Sequence, residues 1–324
     1  MVNYQENRII RMTDFRTKLK SGLSEGVRRG WSSFLWMAKI ILPMSFLITL
    51  LQWSGWMNSL DVVMRPLTSL INLPPEAALP LISGMLLNLY AVIAAITVIP
   101  FTIEQMTLIA VFTLIAHNLI MEGIIQHRAG INVAKIVFVR IFMATATVLV
   151  VSLFLGDTSQ AIAVPESLTT QAPFAEVFKE WFMDTIIMLA KMFGIIMGIM
   201  LALGCIRSLD WTEYLISFFK PLMRVLGLPG RTAMMFVAAV LFGVFYAGAI
   251  IVEETKKEDL TREELERLHI FIGVNHAMVE DPTLFAIFGL NFLWMWLPRL
   301  VSAAVAVQLY RLFGLVRNKL LRRT

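Results

Sequence analysis

The chain has 324 residues, of which 58% are hydrophobic and only 16% are charged, and its formal net charge is +5. A composition this apolar excludes a soluble globular domain, and the continuous apolar runs exclude the alternating strands of a transmembrane β-barrel. The single cysteine, Cys205, excludes an internal disulfide framework and a multi-cysteine metal cluster. We therefore predict an all-α, polytopic membrane protein.

Residues 1–34 are polar and basic, and apolar residues such as Phe15, Leu19 and Leu23 recur among them at helical spacing. This pattern is typical of an amphipathic helix that lies on a membrane surface. No cleavable signal sequence is apparent. We expect anionic lipid headgroups, and not nucleic acid, to contact this segment and the basic tail at residues 313–324.

Eight apolar runs follow, and crossing a bilayer takes about 20 helical residues. The runs cover residues 36–56, 76–99, 105–122, 133–155, 185–205, 231–252, 265–280 and 283–312. Leu-Pro pairs at Leu73-Pro74 and Leu228-Pro229 interrupt the pattern, and several runs contain Gly or polar residues. Some runs are therefore expected to be broken or re-entrant helices and not simple spans.

Motifs of residues 35–155 recur in residues 176–312, and we interpret the two segments as repeats of one unit. Ala116–Glu122 contains a His-Asn pair and a carboxylate, and Val274–Glu280 contains the pair in reverse order. Further landmarks recur 152 to 159 residues apart: Lys39 and Lys191, Pro66 and Pro221, Tyr90 and Tyr246, Thr102 and Thr261, Arg140 and Arg299. Two related halves with matching polar groups are typical of transporters.

Residues 156–175 join the halves and contain no Lys or Arg. Under the positive-inside rule this linker lies outside the cytoplasm, and both basic termini lie inside, at the cell inner (plasma) membrane. Each half then crosses an odd number of times, which predicts inverted repeats. Because the eight runs divide into four per half, one re-entrant run or one additional crossing per half is needed to restore an odd number.

The repeated motif also supplies candidate binding residues. On a continuous helix Asn118 and Glu122 share one face, as do His276 and Glu280, and two such faces related by a pseudo-two-fold axis would meet in one cavity. The predicted substrate-binding residues are Asn88, Tyr90, His117, Asn118, Glu122, Tyr246, Asn275, His276, Glu280 and Asp281. Arg140 and Arg299 are the candidate charge partners of Glu122 and Glu280. The alternative is that the acids are interfacial, the polar pairs are interhelical hydrogen bonds and the arginines snorkel.

Two histidines and three carboxylates also suit a site for Fe²⁺, Mn²⁺ or Zn²⁺, although the sequence contains no HExxH motif. It contains no GxxxxGK[ST] loop, so direct drive by ATP or GTP is not expected. No Ser-His-Asp or Cys-His arrangement emerges. We expect neither a cofactor nor an enzymatic activity.

At these residues the chain resembles the nucleoside-recognition, or Gate-domain, membrane family. The resemblance rests on Pro66 to Leu73 with the Asn88-Leu89-Tyr90-Ala91 helix, on Pro221 to Gly248, and on Asn275 to Asp281, and it spans about 36–155 and 180–312. Relatives include the membrane region of bacterial ferrous-iron transporter B, spore-maturation membrane proteins and concentrative nucleoside transporters. The resemblance implies paired Gate repeats and a polar central site. The chain differs from the iron transporter in containing no G domain and no cysteine in its first repeat.

We expect a transporter of a small polar solute or ion, nucleoside-like by the resemblance, in which two Gate repeats move around the central site. Ion or proton coupling is assigned to Glu122 and Glu280. The alternatives are a divalent-metal permease and a non-transporting membrane scaffold similar to the spore-maturation proteins. A homo-oligomer or a partner membrane protein fits each of these expectations.

Overall fold

The computed structural model describes residues 2–55, 68–156, 158, 173–257 and 260–321, and within these ranges it contains helices and turns but no strand. The α-helices are α1 (Val2–Trp53), α2 (Ala78–Leu86), α3 (Leu89–Val98), α4 (Ile103–Ala116), α5 (Leu119–Arg128), α6 (Val133–Leu155), α7 (Phe174–Ser208), α8 (Thr212–Val225), α9 (Ala233–Lys257), α10 (Arg262–Val274), α11 (Glu280–Phe285) and α12 (Phe292–Leu321). Short 3₁₀ helices lie at Pro75–Ala77, Gly230–Thr232 and Ala286–Phe288. The all-α prediction is confirmed.

In the part of the chain that the structure describes, five helical segments are long and apolar enough to cross a membrane. They are Phe15–Leu51, Ile103–Arg128, Val133–Leu155, Phe174–Ser208 and Phe292–Val316. The polytopic prediction is therefore confirmed, but five of the eight runs do not form single continuous helices. Run 76–99 is divided between α2 and α3, run 105–122 between α4 and α5, and run 283–312 between α11 and α12. Run 231–252 bends at Gly243, and run 265–280 leaves the helix after Val274.

The two longest helices, α1 and α7, pack as an antiparallel pair. Gly22 and Gly26 lie against Gly204, where an added Cβ would come within 2.3 Å of the carbonyl oxygen of Gly22. At the opposite end of the pair, the rings of Trp53 and Phe174 lie 5.2 Å apart. Glycines at the first contact let the two backbones approach closely, as small residues commonly do between membrane helices.

Both ends of the described chain differ from the predicted segments. Helix α1 passes through residue 34 without a break, so the basic segment and the first span form one helix. Helix α12 likewise continues into the predicted tail as far as Leu321. Most of the linker at 156–175 lies outside the described residues.

Residues 59–72 and 211–226 have an amphipathic pattern in the sequence, and Gly194 and Gly198 form a GxxxG motif. Residues 211–226 contain helix α8, whereas most of the matching stretch 59–72 lies outside the described residues. A GxxxG motif predicts that Gly194 and Gly198 pack against another helix. In the described part of the chain, no atom lies within 4 Å of a Cβ built at either glycine beyond its own helix backbone. The close approach involves Gly204 instead.

Thr102 and Thr261, each followed within three residues by a glutamate, are typical of helix starts, and a capping box begins a helix at each of them. Thr102 Oγ1 accepts from the N–H of Gln105, and the Gln105 side chain accepts from the N–H of Thr102. Thr261 and Glu264 form the same pair at α10, and Arg231 donates to Glu264 at 2.8 Å. Partial burial alone raises the pKa of Glu264, but hydrogen bonds from Thr261 and Arg231 outweigh it, so the pKa lies below its usual value.

Residues 253–267 form a charged run, a pattern that predicts a solvated face, but the structure does not leave the whole run solvated. Glu266 is only 7% exposed, and its carboxylate accepts hydrogen bonds from Lys135 and from the Tyr310 hydroxyl group. The expectation fails for this residue because Glu266 joins α10 to α6 and α12. Buried carboxylates of this kind require such partners.

Candidate functional site

The first helix break of the site separates α4 from α5. His117 has an extended backbone (φ −93°, ψ 163°), and Asn118 has a left-handed one (φ 51°, ψ 36°). The N–H of Asn118 donates to the carbonyl oxygen of Gly84 at 2.9 Å, which ties the break to α2. Asparagine tolerates the left-handed conformation better than most residues, so the sequence can turn here within an otherwise apolar run.

The same local structure occurs 159 residues later, between α10 and α11. Ala277 is left-handed (φ 44°), and the N–H groups of Ala277 and Met278 donate to carbonyl oxygens of α9 at 3.0 and 2.8 Å. For alanine this conformation costs about 1–2 kcal/mol, so the surrounding contacts must hold it in place. His276 therefore occupies the place of His117. The reversed order of the pair in the sequence does not correspond to reversed positions in the structure.

Each of the two histidines directs its Nε2 atom toward the space between the two rings. His117 Nδ1 lies 2.9 Å from the carbonyl oxygen of Thr113, and His276 Nδ1 lies 2.7 Å from that of Ile272. Both rings are buried, and their centroids are 5.0 Å apart. Because each carbonyl can only accept, each Nδ1 carries a hydrogen, and each Nε2 is left facing the space between the rings.

Carboxylates from both halves face these Nε2 atoms. Glu122 Oε1 lies 3.2 Å from His276 Nε2 and 3.5 Å from His117 Nε2. Asp281 Oδ2 lies 3.8 Å from His117 Nε2. His117, His276 and Asp281 can each present one ligand atom so that all three atoms lie within 4.8 Å of one another. Four buried ionisable side chains thus meet in one place.

Two buried arginines support the helix breaks. Arg140 donates to the carbonyl oxygens of Ile115 and His117 at 2.8 and 2.7 Å, and to Glu122 at 2.7 Å. Arg299 donates to the carbonyl oxygen of His276 at 2.8 Å. Within the described residues, the Nε and Nη1 atoms of Arg299 have no hydrogen-bond partner. Arg299 therefore does not form the predicted pair with Glu280.

A cavity of about 250 Å³ contains this cluster. Among the predicted residues, its lining includes Asn88, Tyr90, His117, Asn118, Glu122, His276, Glu280 and Asp281. Asn275 is buried away from the lining, and its Nδ2 approaches the Met278 sulfur at 3.4 Å. The side chain of Tyr246 lies outside the described residues.

Asn88 and Tyr90 enter the cavity lining through a third helix start. The Asn88 side chain caps α3 by accepting from the N–H groups of Tyr90 and Ala91 at 3.0 and 3.2 Å. The Tyr90 ring packs edge-on against Trp36 of α1, with centroids 5.5 Å apart. The capping role occupies the oxygen of Asn88 and leaves its amide NH₂ as the group that a bound molecule can use.

Sequence reasoning missed the contribution of α1. Ser32, Ser33 and Trp36 line the cavity from the middle of this helix. The sequence around these residues is typical of an interfacial helix that continues into an apolar run. No matching motif in the second half of the chain draws attention to them. In the structure, α1 reaches the cavity because it packs against α3 and α7.

Comparison with known proteins identifies relatives of the chain. Residues 34–158 match the profile of the Gate family, described as "Nucleoside recognition". The "Uncharacterized membrane protein YvoD" of Bacillus subtilis (strain 168) is 26% identical over 288 residues, which cover 88% of this chain and 91% of that protein. No solved structure matches the chain. Residues 34–158 of this membrane protein are therefore similar to the nucleoside-recognition (Gate) family.

Proposed function

We propose that this protein transports a small polar solute or ion across the membrane through the cavity between α4–α5 and α10–α11. The observation that carries the proposal is the convergence of buried ionisable groups from both halves on one cavity. Ionisable side chains are expensive inside a bilayer, and those that occur there usually line a transport pathway or cavity.

The broken helices support this proposal. Non-helical backbone at membrane depth is stable only where it is buried in protein or lines a cavity, because lipid offers no hydrogen bonds. Here the breaks at His117 and His276 both border the same cavity. Discontinuous helices of this kind form the substrate sites of many secondary transporters. We infer that the two halves are related repeats and that they move relative to each other during transport.

The size of the cavity limits the solute. Ligand sites for drug-sized molecules measure roughly 300–1,000 Å³, whereas this cavity measures about 250 Å³. A single nucleoside or a hydrated ion is therefore a more suitable occupant than a larger metabolite. The description of the matching family, nucleoside recognition, supports nucleosides as the first probes.

A second cavity of about 100 Å³ extends the site along α1 and α7. It shares Ser32, Ser33 and Glu280 with the central cavity, and charged residues, including Glu25 and Arg207, line it as well. The Arg207 Nη1 atom lies 3.4 Å from Glu25 Oε1. We infer that this is the route between the central cavity and the basic, cytoplasmic end of α1 in the inner membrane.

Uptake into proteoliposomes tests the proposal. The purified full-length protein is reconstituted, and the accumulation of tritiated uridine, tritiated adenosine and Mn²⁺ is compared with that of protein-free vesicles. We expect at least one probe to accumulate, and we expect His276→Ala to reduce its initial rate at least tenfold. The loss follows because His276 is 2% exposed and lies at the centre of the cluster.

His127→Ala is the matched control, because His127 is an exposed histidine near the end of α5. Its uptake rate is expected to equal that of the wild type, at equal protein incorporation. If no probe accumulates above protein-free vesicles, or if His276→Ala transports at the wild-type rate, the transport proposal is wrong.

A further inference from the structure

We propose that His117, His276 and Asp281 bind a divalent transition-metal ion, with Glu122 beside it. This inference rests on the proposed function, since it names the class of ion that the central cavity accepts. Metal binding can nevertheless be tested separately from transport, because binding to the purified protein is measured without any uptake.

The hydrogen bonds of the two rings fix their tautomers. Each Nδ1–H donates to the carbonyl oxygen four residues earlier, at 2.9 Å for His117 and 2.7 Å for His276. This is the arrangement by which proteins orient metal-binding imidazoles, because the donated hydrogen leaves a lone pair on Nε2. In their neutral forms, both rings thus present lone pairs to the same space.

The groups opposite these lone pairs are also acceptors. Glu122 Oε1 lies 3.2 and 3.5 Å from the two Nε2 atoms, and Asp281 Oδ2 lies 3.8 Å from that of His117. Among the described residues, Asp281 Oδ2 has no hydrogen-bond partner, and Asp281 is only 8% exposed. Acceptors that face one another in a buried site repel unless a cation or a shared proton lies between them.

The residue types select the class of cation. Two imidazoles with one carboxylate suit Zn²⁺, Fe²⁺ and Mn²⁺, whereas Mg²⁺ and Ca²⁺ prefer oxygen ligands alone. Ligands of tetrahedral Zn²⁺ lie about 3.3 Å apart, given bonds of about 2.0–2.1 Å. The three ligand atoms here lie within 4.8 Å of one another, so side-chain movements of about 1 Å would let them occupy three of the four tetrahedral positions.

The surrounding charges permit a bound dication. Glu122, Glu280 and Asp281 are the carboxylates of the cavity, and the buried arginines nearest to it are Arg140 and Arg299. Arg140 is already paired with Glu122. When a bound dication displaces the protons of the carboxylates, these five groups carry a net charge of −1, which is compatible with a cation at this position.

Equilibrium binding of Co²⁺ and Zn²⁺ to the purified full-length protein in detergent tests the inference. Co²⁺ reports its coordination geometry through its visible absorption, and isothermal titration calorimetry gives the stoichiometry and affinity for Zn²⁺. We expect one ion per chain. Asp281→Asn and His276→Gln should each weaken binding at least tenfold, because each removes one ligand while keeping the side-chain size.

His127→Ala again serves as the control, with unchanged affinity, and gel filtration establishes that each variant remains folded. If the wild type binds neither ion, or if Asp281→Asn binds as tightly as the wild type, the metal site is refuted and a shared proton accounts for the contacts. Binding without uptake of any probe would refute the transport proposal alone. Uridine uptake without metal binding would refute the metal site alone.

Discussion

The buried ion pair between Arg140 and Glu122 gives the sharpest test of how the site is stabilised. Both side chains are at most 3% exposed, and Arg140 Nη1 lies 2.7 Å from Glu122 Oε2. Glu122→Gln keeps the shape of the side chain but removes its charge, which leaves the guanidinium group uncompensated. Breaking a buried pair by neutralising one partner costs about 3–5 kcal/mol, and the retained amide oxygen favours the lower end of this range.

The sign of the same substitution should reverse when Arg140 is absent. In an Arg140→Met background the Glu122 carboxylate is the uncompensated charge, so Glu122→Gln removes a destabilising group and is expected to raise the free energy of unfolding. A double-mutant cycle isolates this coupling from the hydrogen bonds that Arg140 donates to the carbonyl oxygens of Ile115 and His117. The expected coupling energy is about 3 kcal/mol or more.

Unfolding of the purified protein in mixed micelles, followed by tryptophan fluorescence, measures these free energies. Asp210→Asn is the matched control, because the Lys18–Asp210 pair is exposed and the loss of such a pair costs less than about 1 kcal/mol. The reasoning is refuted if Glu122→Gln leaves the wild type as stable as before, or if it changes stability in the same direction in both backgrounds.

Three further predictions concern stability, and the same unfolding measurement checks them. Gly204→Ala should cost about 1–3 kcal/mol, because its Cβ would lie 2.3 Å from a backbone oxygen of α1, whereas Gly194→Ala should stabilise by about 0.5–1 kcal/mol; equal effects would contradict the α1–α7 packing. Asn118→Val should cost at least about 1–2 kcal/mol because of its φ of 51°, and Asn118→Gly should be nearly neutral. The pKa of Glu264 in the folded state lies below its unfolded value of about 4.3, so the ionised carboxylate stabilises the fold fully at pH values above about 4.3. This contribution is lost as the pH falls through the lower, folded-state pKa. Glu264→Gln should therefore lose less stability than the wild type between pH 7 and pH 4, and an identical pH profile would contradict this.

The class of the fold and many of its helix starts could be predicted from the sequence, because they depend on local chemistry. Continuous apolar runs indicated membrane helices, and Thr102 and Thr261 marked the starts of α4 and α10 through their capping boxes. The Leu-Pro breaks were also correct, since Pro74 and Pro229 each precede a 3₁₀ helix. All of these signals act within a few residues of the position that they determine.

The geometry of the site could be predicted only in part, because the helical face rule holds only within a continuous helix. Asn118 and Glu122 lie within one helical turn, with the Glu122 N–H donating to the Asn118 carbonyl oxygen at 3.1 Å, and both line the cavity. His276 and Glu280 are separated by a break, so their contact with the same cavity depends on the left-handed Ala277. No periodicity in the sequence indicates this conformation, since alanine normally avoids it.

The break also explains why the nearest structural counterpart of Glu122 is Asp281 and not Glu280. Residues His117 and His276, like Arg140 and Arg299, stand 159 positions apart and make equivalent contacts, and the same spacing places Asp281 opposite Glu122. A helix break frees the carbonyl oxygen of each histidine, and in each half the arginine of the following long helix donates to it.

The main role of both arginines is therefore to donate hydrogen bonds to the carbonyl oxygens that the helix breaks leave free. Neutralising the charge of a nearby acid is their secondary role. Glutamate is long enough to reach its arginine, so Glu122 and Arg140 neutralise each other at 2.7 Å. Aspartate has one methylene fewer, and among the described residues Asp281 Oδ2 and the Nε and Nη1 atoms of Arg299 have no hydrogen-bond partner. The shorter acid in the second half thus leaves one carboxylate oxygen directed at His117, where it is available to a bound cation. Asp281→Glu should then strengthen the contact with Arg299 while weakening the binding of Zn²⁺, and tighter Zn²⁺ binding by this variant would show that the length of the acid does not create the asymmetry.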